Sequence, residues 1–285
     1  MQSKIPFHTK MNRKKHIFMY AATLITVLCV VMLLFFYWNI NTFILPHGAI
    51  LRVFQNSGNK AVILCPGGAY SSLAKWREGY LWVPFFLCQG YTIGILEYRM
   101  PHQNYQIPIT DASEALNLMR HIDENQHNNN RQVGMMGFSA GGHLVSTIAV
   151  KEELNSIPDF IILFYPLISM KKELTHKQSH DNLIGPDCLY DIEEELSSEL
   201  HITNHTPPTF LAVSKDDKVV KPSNSYIFYR EMKKRKRPAT LRTYTTGGHG
   251  WGYYLSFKWH RQMVNDLSAW LKEISLNKND SQLDI

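Results

Sequence analysis

Between residues 61 and 246, short apolar runs alternate with amphipathic stretches, and this alternation leaves few folds open. The runs AVILC (61–65), TIGILEY (92–98), QVGMMGF (132–138), FIILFY (160–165), TFLAVS (209–214) and LRTYTT (241–246) are bounded by Gly, Pro or polar residues, as buried strands are. Helix-like stretches lie near 79–89, 111–123, 140–152, 222–236 and 258–275. The order predicts an α/β fold, with a mostly parallel central sheet and helices on both faces. Residues 170–207 break the rhythm with Gly185, Pro186 and an acidic patch at Asp191 to Glu195, and are expected to form a short insertion over one end of the sheet. Ligands of open α/β sheets bind at the carboxyl ends of the strands, so this insertion is expected to help shape a pocket.

Composition excludes the competing classes. At 45% hydrophobic and 19% charged the chain is too apolar for disorder, and 4 cysteines in 285 residues are too few for a disulfide scaffold. A net charge of +6 would suit a nucleic-acid partner, but Lys4, Lys10, Arg13, Lys14 and Lys15 supply most of it before residue 17. The basicity belongs to a tail, and no nucleic acid is expected.

Behind that tail, Ile17 to Ile40 carries no charge and is long enough to cross about 30 Å of hydrocarbon as a helix. Tyr37 and Trp38 suit an interfacial aromatic belt, and the flanking cations place the N-terminus in the cytoplasm. A cleaved signal peptide would end in small residues, whereas Leu33 to Trp38 are bulky. The expected organisation is a cytoplasmic tail (1–16), a transmembrane anchor (17–40), a linker (41–50), an extracytoplasmic α/β domain (51–277) and a C-terminal tail (278–285). Beyond the anchor, Cys65, Cys88 and Cys188 are odd in number, and no disulfide is expected.

The chemistry concentrates at Gly137-Phe138-Ser139-Ala140-Gly141, where a strand meets a helix. A GxSxG at such a junction holds its serine on a strained turn that bulky neighbours would obstruct. A serine hydroxyl needs a base, and the base needs an orienting acid. His249, in GGHGWG just after the last strand, is the best placed of 13 histidines. Asp216 and Asp217 both follow TFLAVS directly and stand as alternative acids, Asp217 preferred. Cys65-Pro66-Gly67-Gly68-Ala69-Tyr70, after the first buried strand, can aim the amides of Gly68 and Ala69, with that of Ala140, at an oxyanion. Tyr70 and Trp251 are candidate pocket residues. His201 and His205 stand four apart without an evident third ligand, so no metal and no cofactor are expected. His143 is expected to serve packing or hydrogen bonding.

CPGGAY (65–70), REGY (77–80), LEYRMP (96–101), GFSAGGH (137–143), PPTFLAVSKDDKVV (207–220) and GGHGWG (247–252) together resemble the α/β-hydrolases of the group that includes bacterial acetylxylan esterases and feruloyl-esterase-like (BD-FAE-like) carbohydrate esterases. The resemblance spans about residues 48–275. It implies a serine hydrolase with Ser139 as nucleophile, His249 as base and Asp217 as its partner, acting on small acyl esters, acetyl above all, of carbohydrates. It marks Glu78 and Asp111 as structural. Two alternatives remain: a prolyl-oligopeptidase-like peptidase, and an anchored binding protein without catalysis.

Overall fold

The computed structural model describes residues 16, 18–24, 26–27, 40–122, 131–151 and 157–283, with side chains to residue 276. The chain divides into two units, Met1–Ile40 and Asn41–Ile285.

In the first unit the described residues from 16 to 27 are helical, and Phe18, Met19, Tyr20, Leu24 and Val27 are exposed. Thr23 and Thr26 donate their hydroxyls to the carbonyls of Met19 and Ala22, one turn back. Among the described residues no helix is long and apolar enough to cross a membrane. Residues 17, 25 and 28–39 of the expected span lie outside the described residues.

The second unit is built on an eight-stranded sheet of order β1-β2-β4-β3-β5-β6-β7-β8. Its strands are β1 (Ile40–Ile44), β2 (Ile50–Phe54), β3 (Lys60–Cys65), β4 (Tyr91–Glu97), β5 (Gln132–Phe138), β6 (Ile161–Phe164), β7 (Thr209–Ser214) and β8 (Ala239–Tyr244). From β4 to β8 every neighbouring pair is parallel, and β2 joins β4 antiparallel. Residues 41–50 are therefore not a linker. They supply most of β1 and a turn closed by Leu45 and Ala49, whose backbones bond at 2.8 Å, and they lead into β2.

Alternation along the strands assigns the two faces. Ile63, Met135, Ile161 and Leu211 pack in one cluster with Ile109, Ala112 and Leu116 of α3 (Gln106–His121), Leu144 and Ile148 of α4 (Ala140–Val150), and Phe228 and Met232 of α7 (Ser223–Lys234). Their neighbours Phe138, Phe164 and Phe210 meet an aromatic stack instead. Trp82, which lies between α1 (Lys75–Glu78) and α2 (Val83–Cys88), lies edge-on to Phe164 at 5.2 Å, and Trp270 of α8 (His260–Leu283) lies 5.5 Å from Phe210. Such pairs add about 0.5–1.5 kcal/mol each beyond area burial. Helix α8 also continues through 278–283, which were expected as tail.

Residues 170–207 form the expected insertion, with α5 (Lys177–Ile184) and α6 (Tyr190–Glu195). It covers α4, which is buried at every position, through Ser198 on Ser146 and His143 on the Leu196 carbonyl. That double cover explains why AGGHLVSTIAV has so little polar face.

Candidate active site

Ser139 sits between the last residue of β5 and the first of α4 with φ 52° and ψ −120°. A non-glycine residue in such a region costs about 1–3 kcal/mol, so its surroundings must hold it there. Its amide donates to Phe164 at 3.1 Å, and its carbonyl accepts from the amides of His143 and Leu167, each at 3.1 Å. Both flanking glycines are obligatory. A Cβ at Gly137 would lie 2.3 Å from the Gly141 carbonyl oxygen, and one at Gly141 would lie 2.0 Å from that of Cys65.

His249 reaches this serine from the loop after β8. Its Nε2 is 2.8 Å from Ser139 Oγ, and its Nδ1 is 2.7 Å from Asp217 Oδ2. With Nδ1–H donating to the carboxylate, Nε2 is free to accept the serine proton. The Asp217 side chain is fully buried, and its Oδ1 accepts the amides of Val219 at 2.9 Å and Val220 at 3.0 Å. The alternative between the two aspartates resolves here. Asp216 instead accepts the amides of Gly248 (2.9 Å) and Gly247 (3.2 Å), fixing the loop that carries His249. Those same amides hold the Asp216 carboxyl below its usual pKa.

The CPGGAY loop lies against the serine, for a Cβ at Gly67 would fall 2.8 Å from Ser139 Cβ. Three bonds shape it: Gly67 N–H to Glu78 Oε2 (2.7 Å), Tyr98 hydroxyl to the Pro66 carbonyl (2.7 Å), and Asn182 of the insertion to the Ala69 carbonyl (2.8 Å). Among the described residues, no protein group accepts the amides of Gly68 or Ala69. Ala140 opens α4, so its amide has no acceptor within the helix.

Glu78 does more than its expected structural role implied. Buried to 1%, it also accepts the Tyr165 hydroxyl at 3.0 Å and Arg77 Nε at 3.2 Å. Burial beside this carboxylate pushes the Tyr165 phenol well above its ordinary pKa, so it remains a donor. The same hydroxyl accepts Gly252 N–H at 2.9 Å, and the ring meets His249 edge-on at 4.8 Å. One buried carboxylate thus joins the CPGGAY loop to the histidine loop.

Tyr70 and Trp251, the candidate pocket residues, are both buried. Tyr70 is buried to 2% and shares a 2.8 Å hydrogen bond with His143 Nδ1; His143 Nε2 faces the Leu196 carbonyl. Burial lowers the His143 pKa to about 4, so the ring stays neutral near pH 7 and bridges loop and insertion. Trp251 donates to Ser214 Oγ at 3.1 Å and stacks on Phe257 with centroids 4.3 Å apart. Both rings fill the core because their polar tips find protein partners there. Conversely, His176 of the insertion was not anticipated. It lies close enough to His249 and Asp217 for their charges to act on it, and burial, with His249, lowers its pKa.

The BD-FAE family model matches residues 52–232. An acetylxylan esterase of Xylanibacter ruminicola is 35% identical over 231 residues, 80% of this chain and 48% of that protein. An endo-1,4-beta-xylanase B of Butyrivibrio fibrisolvens is 28% identical over 72% of this chain and 35% of its own length. The chain thus spans about half or less of the curated relatives it matches. Among solved structures, an acetyl ester-xyloside bifunctional hydrolase from Caldicellulosiruptor lactoaceticus superposes with TM-score 0.73 at 28% identity, covering 81% of this chain and 89% of that one. A sugar hydrolase from Lactococcus lactis gives 0.70 at 27%, covering 84% and 99%. With this fold, this match and this order of motifs, the chain belongs to the BD-FAE family of α/β-hydrolases.

Proposed function

We propose that the protein is a serine esterase that removes small acyl groups, acetyl above all, from carbohydrates. The observation that carries this reading is the continuous chain of hydrogen bonds from Ser139 Oγ through both nitrogens of His249 to Asp217, at 2.8 and 2.7 Å.

In the proposed reaction His249 Nε2 takes the Ser139 proton as Oγ attacks the ester carbonyl, and Asp217 stabilises the imidazolium that forms. The amides of Gly68, Ala69 and Ala140 receive the oxyanion, where loss of one donor typically costs about 2.7–4 kcal/mol of barrier. His249 then protonates the departing sugar oxygen, leaving an acyl-enzyme on Ser139. Water, deprotonated by the same ring, attacks that acyl group and releases the acid, restoring the serine. The carbohydrate as alcohol partner is supported by the similarity to an acetylxylan esterase and to an acetyl ester-xyloside hydrolase.

The proposal includes an anchor at residues 17–40, with the N-terminus cytoplasmic and the hydrolase domain outside. Its support is the charge-free run behind five cations. The exposed apolar side chains of Phe18, Met19, Tyr20, Leu24 and Val27, with Thr23 and Thr26 hydroxyls satisfied within the helix, agree with it, since lipid offers such groups no partner.

The enzymatic reading is tested by acetate release from acetylated xylan and from aryl acetates, with aminoacyl-naphthylamides as peptidase substrates. Wild type is expected to release acetate and Ser139→Ala to release none. Naphthylamide cleavage in place of acetate release would favour a peptidase, and failure of wild type to react with a fluorophosphonate would favour a binding protein.

A further inference from the structure

Between α5 and α6 of the insertion three side chains converge. His180 Nε2 lies 3.1 Å from Glu193 Oε1 and 3.5 Å from Cys188 Sγ, and that sulfur lies 3.8 Å from the same Glu193 oxygen. His180 and Glu193 are buried, at 3% and 4% exposure, and Cys188 is half-buried.

Hydrogen bonding by a neutral imidazole does not satisfy this cluster. His180 Nδ1 is 3.0 Å from Asp181 Oδ1, so each ring nitrogen faces a carboxylate oxygen, while a neutral ring carries a single N–H. With that proton on Nδ1 toward Asp181, the Nε2 lone pair points at the Glu193 carboxylate, a contact that a cation between them relieves. The separations identify what fits. Tetrahedral zinc binds sulfur at about 2.3 Å and nitrogen or oxygen at about 2.0–2.2 Å, which sets its ligands about 3.3–3.6 Å apart. The three separations, 3.1, 3.5 and 3.8 Å, bracket that range.

We propose that His180 Nε2, Cys188 Sγ and Glu193 Oε1 form a zinc site on the insertion, apart from the Ser139 constellation. One nitrogen, one thiolate and one carboxylate suit zinc, whereas magnesium and calcium take oxygen shells. Asp181 is the outer carboxylate that fixes the ring, as metal-binding histidines commonly have. Cys188 and Glu193 also line a cavity of about 250 Å³, from which water completes the tetrahedron. Lys171 lines it too, with its charge paired to Glu194 at 3.3 Å. Binding displaces the thiol proton to solvent, so the complex carries a thiolate. The ion ties α5 to α6, and Asn182 of α5 holds the Ala69 carbonyl. The metal therefore steadies the insertion that braces the CPGGAY loop and takes no part in ester chemistry.

The test uses the full chain, stripped with a chelator and reloaded with zinc or cobalt(II). Wild type is expected to retain one zinc per chain after dialysis, and cobalt is expected to give a thiolate-to-metal charge-transfer band. Cys188→Ser should lose that band, and both it and His180→Gln should bind zinc more weakly by at least about tenfold, the loss an outer-shell partner alone brings. The cobalt spectrum of wild type decides the matter even if a variant fails to fold. No charge-transfer band, or zinc retained equally by both variants, overturns the proposal.

Discussion

At the scale of single residues, the adjacent pair Asp216 and Asp217 divides one task. Asp217 is buried with its Oδ2 on His249, and Asp216 is exposed with both oxygens on loop amides. Replacing the buried acid leaves the imidazole free to adopt the wrong tautomer. Asp217→Asn is therefore expected to lower kcat on aryl acetates by about 10⁴-fold. Asp216→Asn keeps the orientation of the ring and loses only strength in two loop bonds, so its effect should stay within about tenfold. Parallel kcat measurements on the two variants check this, and equal losses would contradict it. The family resemblance favoured Asp217 but left its neighbour Asp216 open, since both follow the same strand; burial decides which one the imidazole meets. Tyr70 and Trp251 teach the same point in reverse. An aromatic residue beside a reactive one in sequence reads as pocket lining, yet both rings turn inward because His143 and Ser214 offer partners for their polar tips.

At the scale of elements, the site is three loops at the carboxyl ends of β3, β5 and β8, where parallel α/β sheets present their chemistry. What registers the first loop against the third is the buried path Gly67, Glu78, Tyr165, Gly252. Tyr165→Phe removes the hydroxyl from that path, leaves the Gly252 amide without its partner and leaves Glu78 Oε1 with Arg77 alone. The expected cost is about 1–3 kcal/mol in urea unfolding, because the orphaned amide stays buried. Misplacing His249 should also lower kcat by up to about 10²-fold with KM little changed, as small errors in alignment do. An unchanged kcat with lowered stability would show that the path supports the fold and not the site. Elements also explain which strands the sequence concealed. β3, β6 and β7 are covered on both faces and appear as unbroken apolar runs. β1 is an edge strand whose INTFI is exposed or half-buried throughout, so its β-forming Ile, Thr and Phe make no buried apolar run for the sequence to show.

At the scale of the whole molecule, the apolar segment and the hydrolase domain make separable contributions. Removing residues 1–39 leaves the full sheet from β1 onward, since the eight strands begin at Ile40. Such a chain is expected to move from the membrane fraction to the supernatant while keeping aryl acetate hydrolysis. Full-length protein should resist carbonate extraction, and its release by carbonate would count against the anchor. The insertion is the other large-scale feature. It meets α4 through His143 and Ser146, meets the CPGGAY loop through Asn182, and brings His176 near His249.

The amino-acid sequence alone marked the α/β class, the GxSxG turn and His249 as the candidate base, because apolar runs, glycine spacing and order along the chain are local signals. Apolar runs mark doubly covered strands, and only glycine fits beside Ser139 where backbones approach to within a bond or two of contact. Tertiary structure turned the preference for Asp217 over Asp216 into a contact with the imidazole, and it alone decided that Tyr70 and Trp251 lie in the core and that His180, Cys188 and Glu193 converge. Those outcomes turn on side-chain direction and burial among segments that become neighbours only after folding, and no spacing along the chain encodes them.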